Sequence, residues 1–291
     1  MTIVECNTNE NGPLNTGAKE QCILGVTTKY AFCPDPSFGF ESLEFLKDKE
    51  KWDAAIAEKK IYPLYEVEEY ANADTEDTFF EGFRRQYKTA DGKKIRTFRS
   101  IISLCSYKAL KSHSDKAGRV FEFTEDPGIK AVQHDTKFKG QKATLSVGKL
   151  QDTIAGTPQS TVVTVNYTDD KEYTNNGVNV RLDGWGDQDV FGIFDVNLVQ
   201  VSASATSIKF KAIAGCAGGS ETLKGLTTDD VVLKDTTGEV QDISFVAPDA
   251  NGIYEITGTA FANGFKLSLD GVVSIIDMAY ESPEPLTIKI P

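Results

Sequence analysis

Apolar residues recur at two spacings along this chain, and the shorter spacing dominates. The helical spacing is clearest early on. A helix is expected over 42–59, with Ser42 as N-cap, Glu44 in the first turn, and Phe45, Trp52 and Ile56 on one face. A shorter helix fits 106–112. Elsewhere the runs are brief, β-branched or aromatic, and bounded by Gly, Asp, Asn or Pro, which predicts strands over 23–29, 62–70, 119–124, 137–147 and 160–167. Residues 78–90 and 93–104 flank Asp91-Gly92, a dipeptide favoured in tight turns that need positive φ. They predict one hairpin over 78–104 with arms of about 12 residues, or ~40 Å, against the usual ~5–6 residues. A hairpin that long calls for a neighbour to cover it.

From Asn197 onward aromatics thin out and period-two alternation takes over. Ile208, Phe210 and Ala212 alternate with Lys209 and Lys211; Phe265, Leu267 and Leu269 alternate with Lys266 and Ser268; Ile288 and Ile290 flank Lys289. One polar face per strand marks an antiparallel sandwich. Turn residues separate the strands at Gly218-Gly219, Thr237-Gly238, Asn251-Gly252, Asn263-Gly264 and Asp270-Gly271. The expected fold class is mainly β, with one or two short helices. It comprises a sheet or barrel-like assembly domain over 1–196, carrying the long hairpin, and an immunoglobulin-like β-sandwich over 197–291.

The 291 residues suffice for two ordinary cores, and the net charge of −12 excludes a general phosphate-backbone binder. No stretch reaches the ~20 apolar residues of a membrane span. The first 18 residues lack Lys, Arg and an apolar run, so a cytoplasmic origin without a signal peptide is expected. Cys6, Cys22, Cys33, Cys105 and Cys216 form no C-x-x-C pair and read as free buried thiols.

Candidate chemistry is sparse. His113 lies in a polar Lys-Ser-His-Ser-Asp segment and His134 precedes Asp135, neither within a nucleophile or metallopeptidase motif, so both read as surface residues. The Asp183–Asp189 run brings carboxylates close enough to consider a hard cation, but it lacks EF-hand spacing; a glycine-rich connection anchored by Trp185 fits better. No catalytic residue, cofactor or metal is expected, and the chain is expected not to be an enzyme.

One charge pattern stands out. Glu66, Glu68, Glu69, Asp74, Glu76, Asp77 and Glu81 are seven acids with no intervening base, and then Arg84, Arg85, Lys88, Lys93, Lys94, Arg96 and Arg99 face one acid, Asp91. Folding about Asp91-Gly92 would oppose Arg84 to Arg99, a repulsive arrangement. A solvated hairpin with cross-strand pairs is the plain reading of the pattern, and a nucleic-acid contact fits less well amid so much acid. A neighbouring subunit's acids would answer the repulsion. The residues expected at such a contact are Arg84, Arg85, Lys88, Arg96 and Arg99 with Glu66, Glu68, Glu69, Glu76 and Asp77.

The order of an irregular start, a helix around 47–57, a charged hairpin ending in Arg96-Thr97-Phe98-Arg99, the segment 105–110 and strands to Tyr167 resembles tail-tube-like virion proteins of phages. Asn251-Gly252-Ile253-Tyr254-Glu255-Ile256-Thr257-Gly258 resembles bacterial immunoglobulin-like domains. The resemblance implies a self-assembling subunit in stacked, hexameric rings within a virion. It also implies contacts with other virion proteins, no membrane partner, and DNA only as passing cargo without sequence-specific binding. The alternative is a decoration or adhesion protein that binds host glycans or proteins through its immunoglobulin-like domain.

Overall fold

The structure, a computed structural model, describes residues 5–7, 24–215, 221–276 and 278–291. The fold is mainly β, as the alternation requires. The chain divides into two compact units, Met1–Val190 and Phe191–Pro291. The division expected at 196/197 instead falls inside the strand Phe194–Ala203, whose Val196 and Leu198 belong to the second unit's core.

The first unit is built on one curled sheet. Its main path runs Glu5–Asn7, Gly177–Arg181, Gly128–His134, Ala117–Thr124, Gln141–Val147, Ser160–Tyr167, Ile95–Ile101 and Glu69–Asn72. The strand Thr27–Cys33 also pairs with Ala117–Thr124, so that strand is a branch point. Gln141–Val147 takes its first half, from Ala117 to Val120, and Gly128–His134 takes its second, from Glu122 to Thr124. Gly140 permits the fork, since a Cβ there would sit 2.6 Å from the Val120 backbone; it splits the strand expected over 137–147. The inner face buries Tyr30, Phe32, Phe98, Val120, Leu145, Val163 and Val165.

The expected helix over 42–59 is two helices, Leu43–Lys47 and Lys49–Ala57. Asp48 breaks them, because its carboxylate caps the second helix through the Glu50 amide at 2.9 Å. The break rotates Phe45 out to 40% exposure, and Leu46 takes its place beside Trp52 and Ile56 in the core. Trp52 packs on Phe40, Phe121, Phe123 and Trp185, the other face of the sheet's branch strand. Ser103 caps a third helix, Leu104–Lys111.

The second unit is a two-sheet sandwich. One sheet runs Ser244–Val246, Tyr254–Thr257, Ser207–Ala214, Phe194–Ala203, Met278–Glu281 and Val272–Ile275; the other runs Val231–Lys234, Lys266–Leu269 and Leu286–Thr287. Ile208, Phe210, Ala212, Leu267, Leu269 and Ile288 are all buried, matching the alternation. The expected turns at Gly218-Gly219 lie outside the described residues.

Cys33 is a buried free thiol, which burial pushes up to about 11. Cys105, expected as a free thiol, is disulfide-bonded. Cys22 and Cys216, and the side chain of Cys6, lie outside the described residues. No helix among the described residues is long and apolar enough to cross a membrane.

Because the second unit holds a core made from its own strands, residues 191–291 alone are expected to melt cooperatively with a β-type circular dichroism spectrum. A fragment without a transition would overturn the reading of residues 191–291 as an independent folding unit.

Candidate functional site

The hairpin expected over 78–104 with its turn at Asp91-Gly92 does not form; a different hairpin spans residues 69–101. Glu69–Asn72 pairs antiparallel with Ile95–Ile101, with Glu69 opposite Arg99 and Asn72 opposite Arg96. Beyond them Ala73 donates to the Ile95 carbonyl and Thr75 to Lys93. Thr78–Glu81 then pairs with Gln86–Ala90, placing Glu81 opposite Gln86, and the Gly82 amide closes the tip onto the Arg85 carbonyl at 3.0 Å. The tip is Gly82-Phe83-Arg84-Arg85. Asp91-Gly92 sits in the irregular return arm. Gly92 is needed there because a Cβ would meet the Thr75 carbonyl at 2.1 Å, and its φ is not positive.

This register reverses the expected electrostatics. Arg99 bonds Glu69 at 2.8 Å, Arg96 pairs with Asp74, and Lys88 pairs with Asp77 and with Asp91. Asp91 also holds Lys171 at 3.0 Å. The acidic and basic stretches therefore answer each other inside one chain, and Lys88, Arg96, Arg99, Glu69 and Asp77 are not charges awaiting a partner. Each exposed pair contributes only about 0–1 kcal/mol. Arg85 lies over the Tyr87 ring and donates to its hydroxyl. The side chains of Arg84, Glu66, Glu68 and Glu76 are exposed and make no hydrogen bond or ion pair among the described residues.

The tip's apolar residues are what the charge pattern concealed. Phe79, Phe80 and Tyr87 are 53%, 62% and 47% exposed, and Phe83 at the apex is fully exposed. Every residue of both tip strands is exposed. Burying one such side chain is worth about 1.5–3 kcal/mol, so four of them left in water at one hairpin tip are apolar area available to a partner. The mirrored order of acids and bases carried a signal for this turn, since opposite charges face each other only if the chain folds near 82–85.

Two buried polar clusters hold the sheet that carries the hairpin. Glu122, at the fork, accepts from Thr27 at 3.0 Å, Lys130 at 3.2 Å, Gln141 at 3.2 Å and the Tyr167 hydroxyl. Burial works to raise its carboxyl, but Lys130 and Lys94 hold it below the ordinary range. Lys94, in the return arm, bonds Gln141 at 2.8 Å and lies over the rings of Tyr167 and Tyr173. The hairpin's root is thereby tied to the fork. In the second cluster Glu172 accepts from Arg119 at 3.1 Å, His134 at 2.6 Å and the Lys142 amide at 2.7 Å. Burial opposes the Glu172 charge too, yet these donors lower its pKa.

Neither histidine is the surface residue expected. His134 serves Glu172 from a strand, and His113 packs on Phe32 and Tyr62, its pKa lowered by burial and then by Lys116. Neither hydrogen-bonds a serine, threonine or cysteine among the described residues. In the Asp183–Asp189 run, Trp185 donates to the Lys47 carbonyl at 2.7 Å, and the buried Lys29 ammonium donates to the carbonyls of Asp187 and Val190. Among the described residues no three His, Cys, Asp or Glu side chains converge as metal ligands.

Because the pKa values of Glu122 and Glu172 are lowered in the fold, their contribution is complete above the unfolded value near 4.5 and is lost as pH falls through the lower folded values. Thermal melts should therefore drop in Tm as pH is lowered from 5 toward 3. Glu172→Gln should lose about 3 kcal/mol at neutral pH by leaving Arg119 short of its counter-charge, with a shallower acid slope. An unchanged slope would remove Glu172 from this account. Compared with known proteins, the sequence matches no family model and no curated protein.

Proposed function

We propose that this chain is a structural subunit that works by associating with copies of itself through the projecting hairpin, and not by chemistry. The observation that carries the reading is the tip, where Phe79, Phe80, Phe83 and Tyr87 are held in solvent on a two-stranded hairpin. A two-stranded hairpin is at best marginally stable in water alone. The root here is fixed by the sheet and the Lys94 contacts, so the tip is presented in place. Preorganisation of this kind lowers the entropy lost on association. The resemblance to tail-tube-like virion proteins supports the narrower reading of a phage virion subunit in stacked rings.

Concentration-dependent light scattering tests it. Wild-type protein should grow in mass with concentration, more weakly at high salt, because Arg84 and Arg85 sit among exposed charges screened within ~10 Å at 0.1 M. Arg84→Glu combined with Arg85→Glu should suppress the growth and leave the melt unchanged, since neither side chain bonds a carboxylate in its own chain. A wild-type protein that stays monomeric throughout would refute the reading.

A further inference from the structure

The strand Ile95–Ile101 has two ends, and their surfaces differ in kind. Beyond the Ile95 end lies the tip, aromatic and basic, with Arg84 and Arg85 against one acid, Glu81, Lys88 being already paired with Asp77 and Asp91. At the other end Ile101, Leu104 and Ile154 are 51%, 58% and 67% exposed. Connectivity gathers them. Ile101 pairs with Ser160, which bridges Gln151, and Ile154 sits on the turn between those two partners. Leu104 opens the helix that follows Ile101, and the Ile102 amide donates to the Gln159 carbonyl. The surrounding charge is acidic. The Glu68 amide bonds the Arg99 carbonyl and the Glu66 carbonyl accepts from Ser100; with Glu69 and Arg99 paired to each other, Glu66, Glu68 and Asp152 are exposed here against Lys149 and Lys108, the latter one turn beyond Leu104.

We infer that the hairpin tip of one copy docks on the Ile101–Leu104–Ile154 end of the first unit of the next copy. This rests on the self-association reading above and adds the acceptor. The occupant is a second copy because one chain carries both halves of a complementary pair, an aromatic basic donor and an aliphatic acidic acceptor. The two halves cannot meet within one copy along this strand. Seven residues, or roughly 20 Å, separate them, and Ile95–Ile101 is held straight between Ser160–Tyr167 and Glu69–Asn72. Donor and acceptor are different surfaces, so the contact is heterologous, and repeated it closes a ring or runs on as a filament.

Mixing variants of the full chain tests this. Phe83→Asp destroys the donor only, and Ile154→Asp the acceptor only, with Leu104→Asp as a second acceptor variant should the first fail to give a wild-type melt. Each variant alone should be monomeric by size-exclusion chromatography with light scattering, with self-association weakened at least about 30-fold, the cost of losing one central contact. An equimolar mixture should then stop at a one-to-one heterodimer, since only one good donor and one good acceptor remain. If wild type assembles and Phe83→Asp blocks it while both acceptor variants assemble normally, the acceptor is wrong although self-association stands. If the mixture stays monomeric, the two surfaces do not face each other. If wild type itself never assembles, self-association and the docking mode fall together.

Discussion

The pairing of the strand Ile95–Ile101 is the constraint from which the rest follows. Ser160–Tyr167 takes one edge from Ile95 to Ile101, and Glu69–Asn72 takes the other from Arg96 to Arg99. With both edges occupied, this strand cannot also serve as the outer arm of a hairpin turning at Asp91-Gly92. The acidic segment must return along the far edge, and the turn is pushed to Gly82–Arg85. That one register sets which charges meet, which residues reach the apex, and how far the tip stands from the acidic end.

The fork at Ala117–Thr124 supplies rigidity to this arrangement. A buried carboxylate is costly unless every lone pair is answered, and Glu122 has four donors. Because those donors come from Thr27, Lys130, Gln141 and Tyr167, the cluster cross-links four strands around the point where the sheet divides. Lys94 extends the same network into the hairpin's return arm. Removing one member would leave others buried and unpaired, which is why such networks fix a single arrangement even when their net contribution to stability is small.

Charge and apolar surface play opposite roles along the hairpin. Near the root, acids and bases are matched within the chain, which keeps two exposed strands soluble and in register. At the apex the matching stops: Phe83 and Arg84 have no partner of either kind among the described residues. In the association proposed above, a surface neutralised along its stem and left open at its tip would confine the contact to one place, where Arg84 and Arg85 would favour an acidic acceptor over a basic one.

Elements with a local period were legible from the residues alone. Alternation at Ile208–Ala212 and Phe265–Leu269 marked the sandwich core and Ser42 marked a helix start, whereas the two arms expected to form one hairpin over 78–104 do not pair with each other. Whatever depends on competition between distant segments was settled only by folding. Asp91-Gly92 has turn chemistry, but a turn signal states only what one dipeptide tolerates, and the pairing of residues 160–167 with 95–101 outweighs it over seven positions. The strands Gly128–His134 and Gly177–Arg181 carry lysine, glutamine and asparagine at positions that only the fork and the helix Asp170–Asn176 make favourable. The ten charged residues expected at a contact were visible in sequence; which of them are already paired was not, because one shift of register exchanges every cross-strand partner at once.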